Sequence, residues 1–129
     1  MSADTDAPVV KDEVSQRPVP SIWRPVFRQI VKAFVARDYH LSAGVPNVAP
    51  ISPDTAAQIE SYIQDYGETL VDLPEETWDT SVMLWVGSRW EVLVDLWTQA
   101  EGRSDMVLNV HVSESRSGFA FDVQMVYVP

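Results

Sequence analysis

Apolar and polar residues alternate between positions 81 and 98 in the pattern of a β-hairpin. The segment SVMLWVGSRWEVLVDLWT divides into two strands around Gly87-Ser88, and glycine in the first central position is typical of a type II′ turn. This turn places Trp85 opposite Trp90. Because side chains alternate between the faces of a strand, one face carries the predicted core set Ser81, Met83, Trp85, Trp90, Val92, Val94 and Leu96.

The opposite face of the hairpin mixes large apolar side chains with charged ones. It carries Val82, Leu84, Val86, Arg89, Glu91, Leu93, Asp95 and Trp97. Bulky apolar groups among charges are typical of a protein-binding surface. The alternative is that the N-terminal segment or a crossing loop covers this face, since buried tryptophan is commoner than exposed tryptophan.

Two amphipathic helices are predicted before the hairpin. The first runs from an N-cap at Ser21 to near Asp38, and the second runs from the N-cap Ser52 through Pro53 to a left-handed residue at Gly67. Apolar residues at helical spacing in the first helix are Ile22, Val26, Phe27, Ile30, Val31, Phe34 and Val35. Its opposite side carries a basic ridge of Arg24, Arg28 and Lys32, which we expect to be solvated and to face acids elsewhere in the fold.

Two more alternating segments follow the hairpin, at 106–113 and 119–127. In the last one, Phe119, Phe121, Val123, Met125 and Tyr127 are predicted to share a face. Short connections favour antiparallel neighbours. The pattern therefore predicts an α+β fold in which two N-terminal helices pack on one face of a four-stranded antiparallel meander sheet. Residues 1–20, polar and rich in proline, are predicted to be a disordered tail or linker, which leaves 21–129 as a single α+β domain.

Charge is distributed unevenly along the 129 residues, whose net charge is −10. Residues 1–37 hold six basic and four acidic side chains, whereas residues 38–129 hold three basic and fifteen acidic ones. Binding to nucleic acid or to an anionic membrane needs clustered Lys and Arg, so both classes of partner are excluded for the main body. A basic protein would be attracted to it.

The compartment is predicted from what the sequence lacks. There is no cysteine, the N-terminus is acidic rather than basic and apolar, and no apolar run reaches the length of a membrane span. We therefore expect a cytoplasmic protein with neither a disulfide framework nor a thiolate metal site.

An acidic connector at 68–79 joins the second helix to the hairpin, with five acids in twelve residues. The leading hypothesis is a non-enzymatic module that binds a basic protein through this connector and the outer hairpin face. Its predicted partner-binding residues are Asp72, Glu75, Glu76, Trp78, Asp79, Glu91, Leu93, Asp95 and Trp97.

Two alternatives remain open at this stage. A small enzyme or ligand-binding domain would use a polar cluster of Asn109, His111 and Asp122, provided that these side chains converge in a pocket. A homodimer would form through the outer sheet face. No HExxH or G-x-S-x-G motif is present, so no catalytic residue, metal ligand or cofactor is assigned.

Three stretches, GETLVDLPEETW, SRWEVLVDLWTQAEGRSDMVL and the terminal VYVP, resemble a family of small bacterial proteins that form a domain of unknown function. The resemblance covers about residues 21–129 and implies a bacterial source, but it carries no functional residues. The small size, acidity and lack of cysteine also resemble the immunity proteins that neutralise basic bacterial toxins. That second resemblance rests on charge and size rather than on a motif.

Overall fold

One antiparallel sheet and two α-helices make up residues 6–129, the part of the chain that the computed structural model describes. The strands lie in the order β1-β3-β4-β5-β6, and β2 pairs with the end of β4 that β3 leaves open. The elements are β1 (Arg17–Pro18), α1 (Arg24–Val35), α2 (Pro53–Tyr66), β2 (Leu70–Val71), β3 (Val82–Trp85), β4 (Trp90–Thr98), β5 (Gly102–Ser115) and β6 (Gly118–Tyr127). Short 3-10 turns lie at Ser21–Trp23 and Glu75–Asp79.

The prediction of a four-stranded meander behind two N-terminal helices is wrong, although the fold is α+β. The described chain has six strands, β1 precedes both helices, and α2 lies in the middle of the sequence. Strands β1 and β2 have two residues each, which is too short for an alternating pattern to be visible. The hairpin itself has the predicted register, with Trp85 opposite Trp90.

Helix α1 begins later than the sequence pattern suggests. Residues Ser21–Trp23 form a 3-10 turn, and Trp23 occupies the N-cap position of α1. A 3-10 turn has fewer residues per turn than an α-helix, so Trp23 is buried while Ile22 is 64% exposed. The remaining apolar stripe reaches the core through Phe27, Ile30, Val31 and Phe34.

Both helices share one hydrophobic core with the inward face of the sheet. In β4 the inward residues Trp90, Val92, Val94 and Leu96 are fully buried, while the residues between them are half-buried. We call the other side of β3–β6 the outer face. Val107 is buried on this outer face, apart from the core cluster.

A β-bulge in β6 corrects one predicted face. Asn109 of β5 lies opposite Met125, whereas the next residue, Val110, lies opposite Val123, so one extra residue is inserted in β6. An inserted residue reverses the alternation beyond it. Val126 is therefore buried in the core, and Met125 is exposed instead of sharing a face with Val123.

The N-terminal segment, predicted as a disordered tail or linker, lies against the domain over residues 6–20. Arg17 and Pro18 pair with β3, and Val19 is fully buried. The indole Nε1 of Trp90 donates a 2.8 Å hydrogen bond to the carbonyl oxygen of Val10. Distant residues supply these partners, which explains why local composition does not reveal them.

The free edge of β6 is covered by a loop and by helix side chains. Phe121 exchanges two backbone hydrogen bonds of 2.9 Å with residues 47 and 49. The Gln58 side chain of α2 donates to the Val126 carbonyl at 2.7 Å and accepts from its N–H at 3.3 Å. Tyr62 accepts from the Val128 N–H at 3.0 Å. Gln58 therefore takes the place of a neighbouring strand.

We predict that Gln58→Ala lowers the free energy of unfolding by about 1–3 kcal/mol, because it leaves the two part-buried backbone groups of Val126 unpaired. Urea unfolding followed by circular dichroism measures the change. Gln64→Ala on the same helix is the control, since Gln64 bonds only to the exposed Glu60 among the described residues. Equal stability of the two variants would contradict the role assigned to Gln58.

Candidate functional site

The connector ends in a 3-10 turn, Glu75–Asp79, that fills a gap at the edge of β4 between β2 and β3. Thr77 Oγ1 donates to the Asp95 carbonyl at 2.7 Å, and Ser81 Oγ accepts from the Asp95 N–H at 2.9 Å. The hydroxyl of Thr80 donates to the Asp95 carboxylate. The backbone of β4 is thus completed by side chains, and the connector is fixed beside the outer face.

Two acidic residues of the connector form ion pairs with basic residues of α1. The guanidinium of Arg28 forms an ion pair with Glu75, and Lys32 Nζ lies 3.2 Å from Asp72 Oδ2. The basic ridge predicted on the first helix therefore faces these acids. Of the predicted partner-binding acids in the connector, Glu76 and Asp79 are the exposed pair that takes part in no ion pair within residues 6–129.

Trp78, predicted to contact a partner, lies inside the domain. Trp78 is 5% exposed, and its ring centroid lies 6.3 Å from that of Phe27. The guanidinium carbons of Arg24 and Arg28 lie 5.4 and 5.6 Å from the ring centroid. Cation–π contacts of this kind close the surface over the indole, so Trp78 does not present its ring for docking.

A row of side chains crosses the outer face from β3 to β6. Val82, Leu93, Asn109 and Met125 lie opposite one another on successive strands. Val82 and Leu93 are half-buried, and Met125 is 38% exposed. Asn109 interrupts this apolar row, and its buried Oδ1 has no hydrogen-bond partner in the described residues.

A second row on the outer face is polar. His111 of β5 lies directly between Glu91 of β4 and Asp122 of β6. Burial lowers the pKa of the His111 imidazole below 6.5, and the positive charge of Arg89 acts in the same direction. Glu91 and Asp122 favour the charged imidazole and oppose these effects.

Asn109, His111 and Asp122 occupy neighbouring register positions on β5 and β6. No hydrogen bond joins their described side chains. Two clefts of about 470 and 420 Å³ lie elsewhere, and none of the three residues lines either cleft. The cluster is therefore a line of side chains on a sheet face rather than a convergent site.

Trp97, the remaining aromatic residue of the predicted surface, lies over the β4–β5 turn. A Cβ atom on Gly102 would approach its ring to 3.6 Å, and Gly102 has φ +75°, so glycine allows both the backbone conformation and the close packing. Trp97 is half-buried, and its Nε1 has no partner among the described residues. The ring packs partly against the core and exposes only part of its surface.

The larger cleft lies beside the connector turn and is lined by Asp6, Ala7, Pro18, Arg24, Glu75, Glu76, Trp78 and Asp79. Sequence reasoning did not assign Arg24 to this place. Its Nε donates to the Val19 carbonyl at 3.0 Å, and burial lowers the pKa of the guanidinium from its ordinary value. The side chain thus joins the N-terminal segment to the connector.

A family model for a domain of unknown function, DUF7668, matches residues 31–129. The chain belongs to the DUF7668 family. This confirms the resemblance to a small domain family of unknown function, while the bacterial source stays a prediction. No curated protein and no solved structure is significantly similar to this DUF7668 chain.

Two further observations concern the DUF7668 chain within residues 6–129. No helix there is long and apolar enough to cross a membrane. No group of three or more His, Asp or Glu side chains in the same range is arranged to hold a metal ion.

The lowered pKa of His111 gives a pH-dependent contribution to stability. The unfolded state binds the proton more readily than the folded state, so folding is stabilised above about pH 6.5 and loses this contribution as the pH falls through the folded-state pKa. We predict that His111→Gln reduces the fall in stability between about pH 7.5 and about pH 5. Urea unfolding across this range measures the slope.

Asp122→Asn is the opposing variant in this experiment. It removes a charge that favours the imidazolium, so the pKa of His111 falls further and the loss of stability on acidification becomes steeper. A His111→Gln variant with the wild-type slope would contradict the assignment.

Proposed function

We propose that this protein is a non-enzymatic interaction module that binds a basic protein partner through the outer face of its sheet. The observation that supports this most directly is the hydrogen bond from Thr80 to the Asp95 carboxylate. It joins the acidic connector turn to the outer face, so that acids from two separate parts of the sequence border the same surface.

The proposed surface is smaller than the one predicted from sequence. Asp72 and Glu75 are paired with α1, and Trp78 is buried. These three residues are therefore left out. The residues that we retain are Glu76, Asp79, Glu91, Leu93, Asp95 and Trp97, all of which are exposed or half-buried.

Apolar and charged contributions have different roles in this proposal. The half-buried row that includes Val82, Leu93 and Met125 supplies area that loses contact with water on binding. Glu91, with the exposed Asp122 nearby in the polar row, supplies charge that accelerates association and disfavours acidic proteins. A basic partner with an apolar centre is complementary to both.

Helix α1, on the opposite side of the sheet, does not offer this combination. There Arg28 and Lys32 neutralise connector acids, while α1 buries its apolar stripe in the core. The uncompensated acidity of the chain is thus greater on the sheet side than along α1. A basic partner is therefore attracted more strongly to the outer face than to α1.

We predict that a Glu91→Lys, Asp79→Lys double variant and a Leu93→Asp variant each weaken partner binding at least about tenfold. The charge variant reverses the attraction, and Leu93→Asp places a charge in the apolar row. Affinity capture from the source cell identifies proteins retained by the wild type, and titration of the purified partner measures the dissociation constant.

Glu60→Lys, Asp65→Lys on the exposed side of α2 is the matched control, because it changes the net charge equally without altering the outer face. The proposal is supported if the wild type and this control retain a partner that both outer-face variants lose. Binding of that partner should also weaken as the salt concentration rises. Capture unaffected by the outer-face variants contradicts the proposal. Sedimentation that shows a dimer abolished by Leu93→Asp would assign the surface to self-association instead.

A further inference from the structure

Residues 6–18, which we call the strap, fold back over one end of the sheet. The loop is closed where Ala7 and Ser21 meet: Ser21 N–H donates to the Ala7 carbonyl at 3.0 Å, and Ala7 N–H donates to Ser21 Oγ at 2.7 Å. Between these points, Asp12 accepts hydrogen bonds from Val14 and Ser15 and turns the strap back on itself. The returning part reaches the edge of β3.

Two consecutive strap residues make specific contacts with the end of the sheet. The Val10 carbonyl accepts the hydrogen bond from Trp90 Nε1 at 2.8 Å. The next residue, Lys11, places Nζ 4.9 Å from the Trp85 ring centroid and 2.9 Å from Glu114 Oε1. The surface beneath the strap therefore provides an N–H donor for a backbone carbonyl. For a cation at the next residue, it provides an aromatic face and a carboxylate.

The edge of β3 completes this groove. Arg17 lies opposite Met83 and Pro18 lies opposite Val82, in antiparallel pairing. Strand β1 thus adds only two residues to a four-residue strand within the described chain. An extended segment that binds here adds to the sheet through its backbone hydrogen bonds. Its side chains determine the specificity, as is general for β-strand addition.

The strap is attached by two kinds of contact: Val9 and Val10 pack partly buried against the core, whereas the ionic contact of Lys11 lies near solvent. The Lys11 and Glu114 side chains are 49% and 59% exposed, and ion pairs at such exposure contribute little to stability. Val14 at the tip is 92% exposed. Val19, by comparison, is fully buried between Pro18 and Pro20, so the chain is held more firmly after residue 18 than at the tip of the strap.

We propose that this groove is a peptide-binding site that the strap occupies in cis, and that it takes an extended segment of a partner protein, with Lys or Arg at the position of Lys11, when the strap leaves. The groove is separate from the outer face and does not depend on the function proposed for that face. The recognised pattern is a backbone carbonyl followed at the next residue by Lys or Arg, with apolar residues before it.

The chemistry of the groove selects this occupant. The buried indole N–H of Trp90 has its acceptor in Val10, and an occupant that places a carbonyl there keeps this hydrogen bond. Trp85 and Glu114 favour a positive charge at the next position and disfavour a negative one. A second copy of the chain would bring a net charge of −10 with its strap, whereas a basic protein is attracted.

The test uses a fluorescent peptide of residues 6–18, DAPVVKDEVSQRP, and the full-length chain. The strap competes at the high effective concentration of a tethered segment, so binding to the wild type is weak. Lys11→Glu in the full-length chain removes the cation–π contact of the strap and replaces its ion pair by repulsion from Glu114, and we expect the peptide to bind it about tenfold more tightly by anisotropy. A peptide that carries the same Lys11→Glu change should not bind.

A disulfide supplies the decisive control, since the chain has no cysteine of its own. In Ala7→Cys, Ser21→Cys, introduced into the Lys11→Glu chain, oxidation closes the strap over the groove where these residues already hydrogen-bond. The peptide should fail to bind the oxidised form and should bind again after reduction. Circular dichroism and thermal unfolding verify that each variant is folded.

Each other result overturns the proposal. Absence of saturable binding to both the wild type and folded Lys11→Glu shows that the groove takes no peptide in trans. Binding that persists in the oxidised double-cysteine form places the peptide elsewhere. A dimer in sedimentation that oxidation prevents shows that the occupant is the strap of a second copy rather than a basic partner.

Discussion

Edge-to-face packing around Trp23 fixes the helix layer on the sheet. Its ring centroid lies 5.2 Å from those of Trp90 and Phe119 and 6.2 Å from that of Phe121, with interplanar angles of 70–89°. Pairs in this geometry contribute about 0.5–1.5 kcal/mol each beyond the burial of their area. Because α1 follows Trp23 directly, these contacts with β4 and β6 also set where the rest of the helix lies.

The position of α1 in turn decides which acids remain available to a partner. Its outward side brings Arg28 to Glu75 and Lys32 to Asp72, so the most basic element of the chain neutralises part of its most acidic segment. The outer face of the sheet receives no comparable compensation from a helix. Part of the basic excess of residues 1–37 thus compensates part of the acidity of residues 38–129.

The sequence allows prediction of features set by local patterns. The hairpin register around Gly87, with its φ of +98°, and the N-cap and C-terminal residue of α2 follow from neighbouring residues. Features that depend on distant partners were not predictable: β1 exists because β3 lies beside it, and the β6 bulge inverts Met125. For the candidate site, acidity and the outer face were visible in the pattern, but the burial of Trp78 under two arginines depends on tertiary packing.

The two edges of the sheet are covered by different means. At β6 a half-buried glutamine side chain and the backbone of an exposed loop are hydrogen-bonded to the strand. At β3 the cover is the strap, whose opening exposes unpaired backbone while the remainder stays native. Association through an exposed strand edge would therefore begin at β3.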